Sequence, residues 1–86
     1  MEKYTLIAQV SPVSLNTITV YNNVDRYVES IQNVSASELY GIMLTTIEGY
    51  NITEVIFQGT ECFAKGIGNK LNNVTNYNKL KIKYIM

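Results

Sequence analysis

Residues 35–60 read SASELYGIMLTTIEGYNITEVIFQGT, and this stretch decides the fold. It opens with a serine, Ser35, and a glutamate three residues later, Glu38, which is the spacing of a capping box. In that motif the serine hydroxyl accepts a hydrogen bond from an N–H of the first helical turn, and the glutamate reaches back to the N–H of the serine. The sequence therefore predicts a helix that begins just after Ser35.

The predicted helix is amphipathic and ends near residue 50. Apolar residues recur every four positions along one face, and these are Leu39, Met43 and Ile47. Gly49 and Asn51 follow at the place where helices commonly end in a left-handed cap. Gly41 lies inside the helix, where glycine costs about 1 kcal/mol relative to alanine. We therefore expect a neighbouring element to pack closely over Gly41.

A short buried strand and a second helix come next. The apolar run 54–58 ends at Gly59, which is typical of a buried strand that leads into a turn. Thr60 can cap a helix, and Glu61 is favourably placed against the positive end of the helix dipole. The core positions of this predicted helix are Phe63, Ile67, Leu71 and Val74.

Strands flank these elements on both sides. Residues 4–10 and 15–21 are rich in β-branched and apolar residues, and Pro12 separates them because proline cannot donate to a strand ladder. The segment 24–34 fits either a short helix or a strand, and the Asn-Asn pair before it favours a hairpin and hence a strand. Residues 80–85 form the last predicted strand.

The predicted order of elements is β-β-β-α-β-α-β, in a single domain of residues 1–86. A chain of this length supports one small hydrophobic core. Two helices with one mixed five-stranded sheet make the fold class α/β, or α+β by strict count.

This order and two local stretches resemble the ribonuclease H-like fold. Residues 35–40, followed by an apolar helix, are similar to the segment in which that family places a catalytic glutamate. Residues 54–60, followed by FAKGI at 63–67, are similar to the family's fourth strand and second helix. The topology agrees over nearly the whole chain, and the residues agree over about 35–71. The resemblance implies phosphodiester hydrolysis with two metal ions in active members of the family.

The carboxylates that this chemistry needs are missing from the sequence. The family's aspartate on the first strand would fall near Ala8 or Gln9, and its aspartate at the end of the fourth strand would fall at Gln58 or Gly59. Only Glu38 remains, and the capping box accounts for it without a metal. We therefore predict a catalytically inactive, reduced scaffold with no catalytic residue, no bound metal and no cofactor.

Composition narrows the chemistry further. The 86 residues include seven basic and seven acidic side chains, no histidine, one cysteine (Cys62) and one aspartate. Serine-triad, Cys–His and histidine-ligated metal chemistry are therefore excluded within one chain, and so is an intrachain disulfide. Nucleic-acid binding is usually driven by basic side chains that displace counterions from the phosphates. The net charge of this chain is zero, so its composition does not support nucleic-acid binding.

Location is also constrained by the sequence. A free cysteine, the lack of a signal-peptide pattern at the N-terminus and the lack of an apolar run of about 20 residues predict a cytoplasmic protein with no membrane partner. We interpret the Asn-x-Ser/Thr sequons at Asn33, Asn51 and Asn73 as accidental. The abundance of Asn, Ile, Lys and Tyr suggests a bacterium or its phage as the source.

Basic residues form the first candidate binding set. Lysines alternate along the last strand, and these are Lys79, Lys81 and Lys83. They predict contact with phosphates or an acidic partner, or they keep an edge strand from aggregating. Lys65 and Lys70 on the second helix are expected to extend this patch.

Apolar residues form the second candidate set. Ile7, Ile18, Val20 and Ile56 fall at strand positions assigned to the side opposite the core. If they point outward, they form an apolar patch that a monomer rarely exposes. Such a patch would suit a second copy of the chain or another protein.

The preferred hypothesis is a non-enzymatic binding module, such as a small phage or bacterial inhibitor or adaptor, that acts through an open sheet face or edge. One alternative is a nucleic-acid-binding protein on an inactive ribonuclease H-like scaffold. A second alternative is a divergent metal-dependent nuclease. Fold alone does not decide among them.

Overall fold

The computed structural model describes residues 3–22, 26–74 and 80–85. These ranges contain five strands and two helices in the predicted order. They are β1 (Tyr4–Val10), β2 (Asn16–Asn22), β3 (Tyr27–Val34), α1 (Ala36–Tyr50), β4 (Ile52–Gly59), α2 (Glu61–Val74) and β5 (Lys81–Ile85). The segment 24–34, which the sequence leaves open between helix and strand, is a strand from Tyr27 onward. Its first residues, Val24 and Asp25, lie outside the described ranges.

The five strands form one mixed sheet in the order β3-β2-β1-β4-β5. The first three strands form an antiparallel meander, with β1 paired to β2 and β2 paired to β3. Parallel pairing then joins β1 to β4 and β4 to β5. Helix α1 connects β3 to β4 and helix α2 connects β4 to β5. This arrangement confirms the predicted α/β class with a mixed five-stranded sheet.

Both helices pack on the same face of the sheet. Leu39, Met43 and Ile47 of α1 and Ala64 and Leu71 of α2 are buried in one cluster with the inward residues of the strands. The predicted four-residue spacing of α1 is therefore the face that packs on the sheet. Phe57 of β4 is fully buried in this cluster, and its ring stacks on that of Tyr84 at a centroid distance of 5.5 Å.

The register between β1 and β2 corrects the orientation that the sequence suggests for two residues. Ile18 lies opposite Ala8, and Val20 lies opposite Leu6. Residues directly opposite each other in a sheet share a face, so Ile18 and Val20 point toward the helices and are fully buried. Their predicted outward orientation is wrong, because the side on which β2 presents its apolar residues is set by the pairing register and not by alternation within β2 alone.

The ends of α1 agree with the sequence in position and differ in hydrogen bonding. Ser35 occupies the N-cap, but its hydroxyl donates to the Glu38 carboxylate at 2.7 Å and makes no capping bond to a backbone N–H. The predicted reciprocal capping box is therefore wrong in this detail. At the other end Asn51 has φ 55°, and its N–H donates to the carbonyl of Ile47. Asparagine tolerates this left-handed conformation better than most residues do.

Strand β3 contains two irregularities in its pairing with β2. The register passes over Val28 between Tyr27 and Glu29, and it shifts again before Val34. Asn33, at the second irregularity, has φ 60°. Two of the three sequon asparagines, Asn33 and Asn51, thus occupy left-handed positions, which gives a backbone reason for asparagine there.

Candidate functional site: the uncovered face of the sheet

One face of the sheet has no helix on it in the described part of the chain. The odd-numbered side chains of β1 and β2, and the even-numbered side chains of β4 from Glu54 onward, point away from the helices. We call this surface the open face. At its side, Lys81, Lys83 and Ile85 of β5 point in the same direction, and we call these three residues the β5 margin.

Two isoleucines form the centre of the open face. Ile7 and Ile56 are register partners on the adjacent parallel strands β1 and β4, and both are half-buried. Together with Thr5, Tyr21 and Glu54 they line a shallow hollow of about 300 Å³. The predicted apolar patch thus exists in reduced form, with Ile7 and Ile56 in it and without Ile18 and Val20. Most of the surrounding side chains are threonine and glutamine, which can form hydrogen bonds.

The lysines of the β5 margin differ in their surroundings. The Lys83 ammonium lies 2.8 Å from the Glu54 carboxylate, which is itself on the open face. Lys81 is exposed and takes part in neither of the two ion pairs between described residues. Lys79, the third lysine of the predicted stripe, lies outside the described residues. Of the predicted lysine stripe, Lys81 is therefore the one described lysine that has no ion-pair partner among the described residues.

The lysines of α2 lie on the other side of the sheet. Lys65 is ion-paired with Glu61 at 2.8 Å, and the hydrogen bond between them raises the pKa of Lys65 and lowers the pKa of Glu61. The Lys70 ammonium lies 5.6 Å from the ring centroid of Tyr40, in cation–π geometry. Because α2 packs on the helix-bearing face and the β5 margin points away from it, Lys65 and Lys70 do not extend the surface of Lys81 and Lys83.

Both edges of the sheet are poorly suited to pair with a further strand. Strand β5 has five residues and carries exposed lysines. Strand β3 at the other edge is irregular at two points, which leaves only a short regular stretch between them. Edge lysines and bulges are the means by which native sheets prevent edge-to-edge association. Of the two predicted locations for binding, the face is therefore favoured over the edge.

The positions where the ribonuclease H-like family has carboxylates are well defined. Ala8 is buried beneath the helices, Gln9 is exposed, and Gln58 lies on the open face. Glu38 is exposed in the first turn of α1 and accepts a hydrogen bond from Ser35. Within residues 3–22, 26–74 and 80–85, no three His, Cys, Asp or Glu side chains are close enough together to hold a metal ion.

The structure also reveals a buried polar anchor that sequence reasoning missed. Asn16 is fully buried at the start of β2. Its amide nitrogen donates to the carbonyls of Val34 at 2.9 Å and Ser14 at 3.3 Å, and its amide oxygen accepts from the N–H of Ser11. Asn16 thus joins the β1–β2 connection to the end of β3. Asn16 alternates with Ile18 and Val20 along β2 and so shares their inward side. That side could be identified only from the register between β1 and β2.

The turn after β4 depends on one glycine. Gly59 has φ 109°, and a Cβ there would overlap the carbonyl oxygen of Val10 at the end of β1. The same oxygen accepts a hydrogen bond from the N–H of Thr60 at 3.0 Å, and the Thr60 carbonyl accepts from Ala64 at 2.9 Å. The close approach of β1 and the start of α2 therefore requires glycine at this position.

Comparisons with known proteins give a fold and no family. No family model matches the chain, and none of the curated proteins is significantly similar to it in sequence. Among solved structures, the chain is similar to a protein of Bacteroides thetaiotaomicron described as having an actin-like ATPase fold and unknown function. The TM-score is 0.68 at 12% sequence identity. The match covers 95% of this chain and 32% of that one, so the chain spans about a third of its neighbour's length.

This likeness concerns the fold alone, because the sequence identity is low. The actin-like ATPase fold is one of the ribonuclease H-like folds, so the predicted ribonuclease H-like architecture is supported. No described helix is both long enough and apolar enough to cross a lipid bilayer.

Proposed function

We propose that this chain is a non-enzymatic binding module that holds a protein partner on its open face, in the cytoplasm of a bacterium or a phage-infected cell. The observation that carries the proposal is one-sided packing. Both helices cover one face of the sheet, while Ile7 and Ile56 remain half-exposed at the centre of the other. A partner that covers them would complete their burial, which contributes about 25 cal/mol for each square ångström of apolar surface removed from water.

The size of the open face sets the class of interaction. The whole uncovered side of the sheet, with β3 and the β5 margin included, has five strands about 4.8 Å apart and about seven residues long, which gives about 500 Å². A standard stable interface buries about 800 Å² on each partner. A partner confined to this face therefore forms a small, reversible interface, and a tighter complex would have to extend over the side of the sheet.

The lining of the hollow indicates the chemistry of the partner. Its floor is aliphatic, and Tyr21 lines it as well. The Glu54 carboxylate at the hollow is already paired with Lys83, so a partner needs no charged group to neutralise it. The surface therefore suits one or two aliphatic side chains of a partner, surrounded by polar groups that can bond to threonine and glutamine.

The proposal is tested with lysine substitutions on each side of the sheet. Ile56→Lys and Thr19→Lys place a charge on the open face, and Asn69→Lys places the same charge on the exposed surface of α2. We expect a protein that co-purifies with the wild type from the native host to be retained by Asn69→Lys and lost by both open-face variants. Retention of that protein by both open-face variants, with circular dichroism showing that they are folded, would contradict the proposal.

Nucleic-acid binding is the second candidate, because the described parts of α2 and β5 contain four lysines and one glutamate. Two of these lysines are already ion-paired, and the four lie on opposite faces of the sheet. A gel shift with an RNA–DNA hybrid separates the candidates. Binding that weakens steeply with salt and is lost in Lys81→Glu would favour the nucleic-acid function over the protein-binding one.

Nuclease activity is the third candidate, and its chemistry has the weakest support in the described residues. Phosphodiester hydrolysis by this route needs several carboxylates around the metal ions. We expect no cleavage of the hybrid with Mg²⁺ or Mn²⁺. Cleavage that Glu38→Gln abolishes would overturn the assignment of this chain as a binding module.

A further inference from the structure

Charge is distributed very unevenly along the chain. Residues 1–54 contain six acidic and two basic side chains, for a net charge of −4. Residues 55–86 contain one acidic and five basic side chains, for a net charge of +4. The overall charge of zero therefore results from two opposite halves and not from an even mixture.

The sheet order turns this sequence asymmetry into a spatial one. Strand β3 is at one edge of the sheet and β5 is at the other. In β3 and α1, with the residue before β3, the charged residues are Arg26, Glu29, Glu38 and Glu48, for a net charge of −2. In α2 and β5 they are Glu61, Lys65, Lys70, Lys81 and Lys83, for a net charge of +3. The described protein thus has an acidic end and a basic end.

Two of the three carboxylates of the acidic end accept hydrogen bonds, and none of the three takes part in an ion pair between described residues. Glu38 accepts from the Ser35 hydroxyl, and Glu29 accepts from the Tyr50 hydroxyl at 3.2 Å. Desolvation and this bond to Glu29 raise the pKa of Tyr50, so the phenol keeps its proton. Both ion pairs between described residues, by contrast, involve lysines of the basic end. The acidic end therefore retains its negative potential.

An apolar groove runs between α1 and β3 at the acidic end. It is a shallow, open depression of about 540 Å³, lined by Ile31, Glu38, Gly41, Ile42, Thr45 and Thr46. A Cβ at Gly41 would meet no heavy atom within 4 Å, so the predicted close packing over this glycine is wrong. The space beside Gly41 is open, and nothing in the described fold explains why a residue that weakens a helix occurs there.

The β5 margin at the basic end has complementary features. Ile85 is 56% exposed. Lys81 and Lys83 precede it on the same face at alternate positions of β5. The margin is therefore an aliphatic side chain beside cations, and the groove is an aliphatic pocket beside a carboxylate.

We propose that a second copy of this chain docks head to tail, with Ile85 of one copy in the α1–β3 groove of the next and Lys81 facing Glu38. The contact joins two different surfaces, so each added copy leaves one acidic and one basic end free, and association continues beyond the dimer unless a ring closes. It uses neither Ile7 nor Ile56, but the β5 margin adjoins the open face, so a partner that extends over β5 would compete with this contact.

The ionic strength of the solution is expected to control this association. Opposite charges steer the two ends together, and salt shortens the range of that attraction from about 30 Å at 0.01 M to about 3 Å at 1 M. One isoleucine and one new ion pair make a small contact. We therefore expect weak association, visible at high protein concentration and low salt.

Sedimentation velocity at 20 mM and 500 mM salt tests the proposal on four chains. At low salt the wild type is expected to form species beyond the dimer, which high salt returns to monomer. Glu38→Lys has an intact margin but places a lysine at the groove, where it repels Lys81. Lys81→Glu has an intact groove but places a glutamate on the margin, where it repels Glu38. Each variant alone is therefore expected to stay monomeric. Lys3→Glu changes the net charge as much as Lys81→Glu does and is expected to associate like the wild type.

An equal mixture of Glu38→Lys and Lys81→Glu gives the decisive result. The intact margin of the first fits the intact groove of the second, and the lysine introduced at position 38 faces the glutamate introduced at position 81, so both contacts are attractive and the mixture should associate beyond the dimer as the wild type does. A monomeric wild type at 1 mM protein in low salt would overturn the proposal. So would association that Glu38→Lys and Lys81→Glu leave unchanged, or a mixture that stays monomeric.

Discussion

At the scale of single residues, Gly59 is the position at which the structure restricts the choice of amino acid most strictly. Its positive φ and the overlap of any Cβ with the Val10 carbonyl leave glycine as the residue that fits. We expect Gly59→Ala to lower the free energy of unfolding by about 2–3 kcal/mol, because both backbone strain and a steric clash would be introduced.

Gly66 is the matched control for Gly59. It lies inside α2, it is exposed, and a Cβ there would meet no atom within 4 Å. Gly66→Ala is therefore expected to raise the free energy of unfolding by about 0.5–1 kcal/mol through helix propensity. Urea unfolding of both variants provides the measurement. Equal effects at the two positions would show that the conformation of Gly59 is not required.

Asn16 is the second residue on which the fold depends. Asn16→Ala removes a side chain that bonds the carbonyl of Val34 and the N–H of Ser11, and it leaves these groups without that partner. We expect a loss of about 2–3 kcal/mol in the free energy of unfolding. Asn69→Ala, on the exposed surface of α2, should change it by no more than about 0.7 kcal/mol, and in the stabilising direction. A loss below 0.5 kcal/mol for Asn16→Ala would remove its role as an anchor.

At the scale of the elements, the start of α2 has a defined pH response. The hydrogen bond and charge of Lys65 hold the pKa of Glu61 below its usual value. A carboxyl whose pKa is lower in the folded state stabilises the fold at neutral pH, and that contribution is lost as the pH falls through the lowered pKa. Both side chains are 56% exposed, so the effect is small and screened by salt.

This response is measured by a carboxyl ¹³C NMR titration of the wild type and Lys65→Met. We expect the titration midpoint of Glu61 to rise in the variant, and to rise also in the wild type at high salt. A midpoint that is the same in the wild type and Lys65→Met would mean that the ion pair is not formed in solution.

Most elements could be predicted from local patterns, because each pattern is read within one segment. The four-residue spacing of α1, the apolar run of β4 and the alternation in β5 are all present in the structure. Features that depend on two segments at once could not be predicted in the same way. The side on which Ile18 and Val20 point follows from the β1–β2 register, and the irregularities of β3 follow from its pairing with β2.

The candidate site shows the same division. Ile7 and Ile56 could be predicted as outward residues, since alternation in β1 and β4 is interrupted only at their first residues. The groove beside Gly41 could not be predicted from the sequence. A glycine inside a helix suggested that a neighbouring element packs closely over it, and only the structure shows that no described element does. The separation of Lys65 and Lys70 from Lys81 and Lys83 required knowing which face of the sheet α2 covers.

At the scale of the whole molecule, two asymmetries determine which surfaces are available for binding. Its helices lie on one face of the sheet, so an apolar centre remains on the other. Its charges are separated between the two edges of the sheet, although the net charge is zero. The first asymmetry supports a protein partner on the open face, and the second supports head-to-tail contact between copies.

The central claim, that the open face is the binding surface, is tested most directly by photo-cross-linking in the native host. A photoreactive amino acid is placed at position 56 on the open face or at position 48 on the exposed side of α1. The account predicts a discrete cross-linked protein from position 56 that position 48 does not give. Cross-links from position 48 alone, or no cross-link from position 56 in a folded and expressed protein, would contradict it.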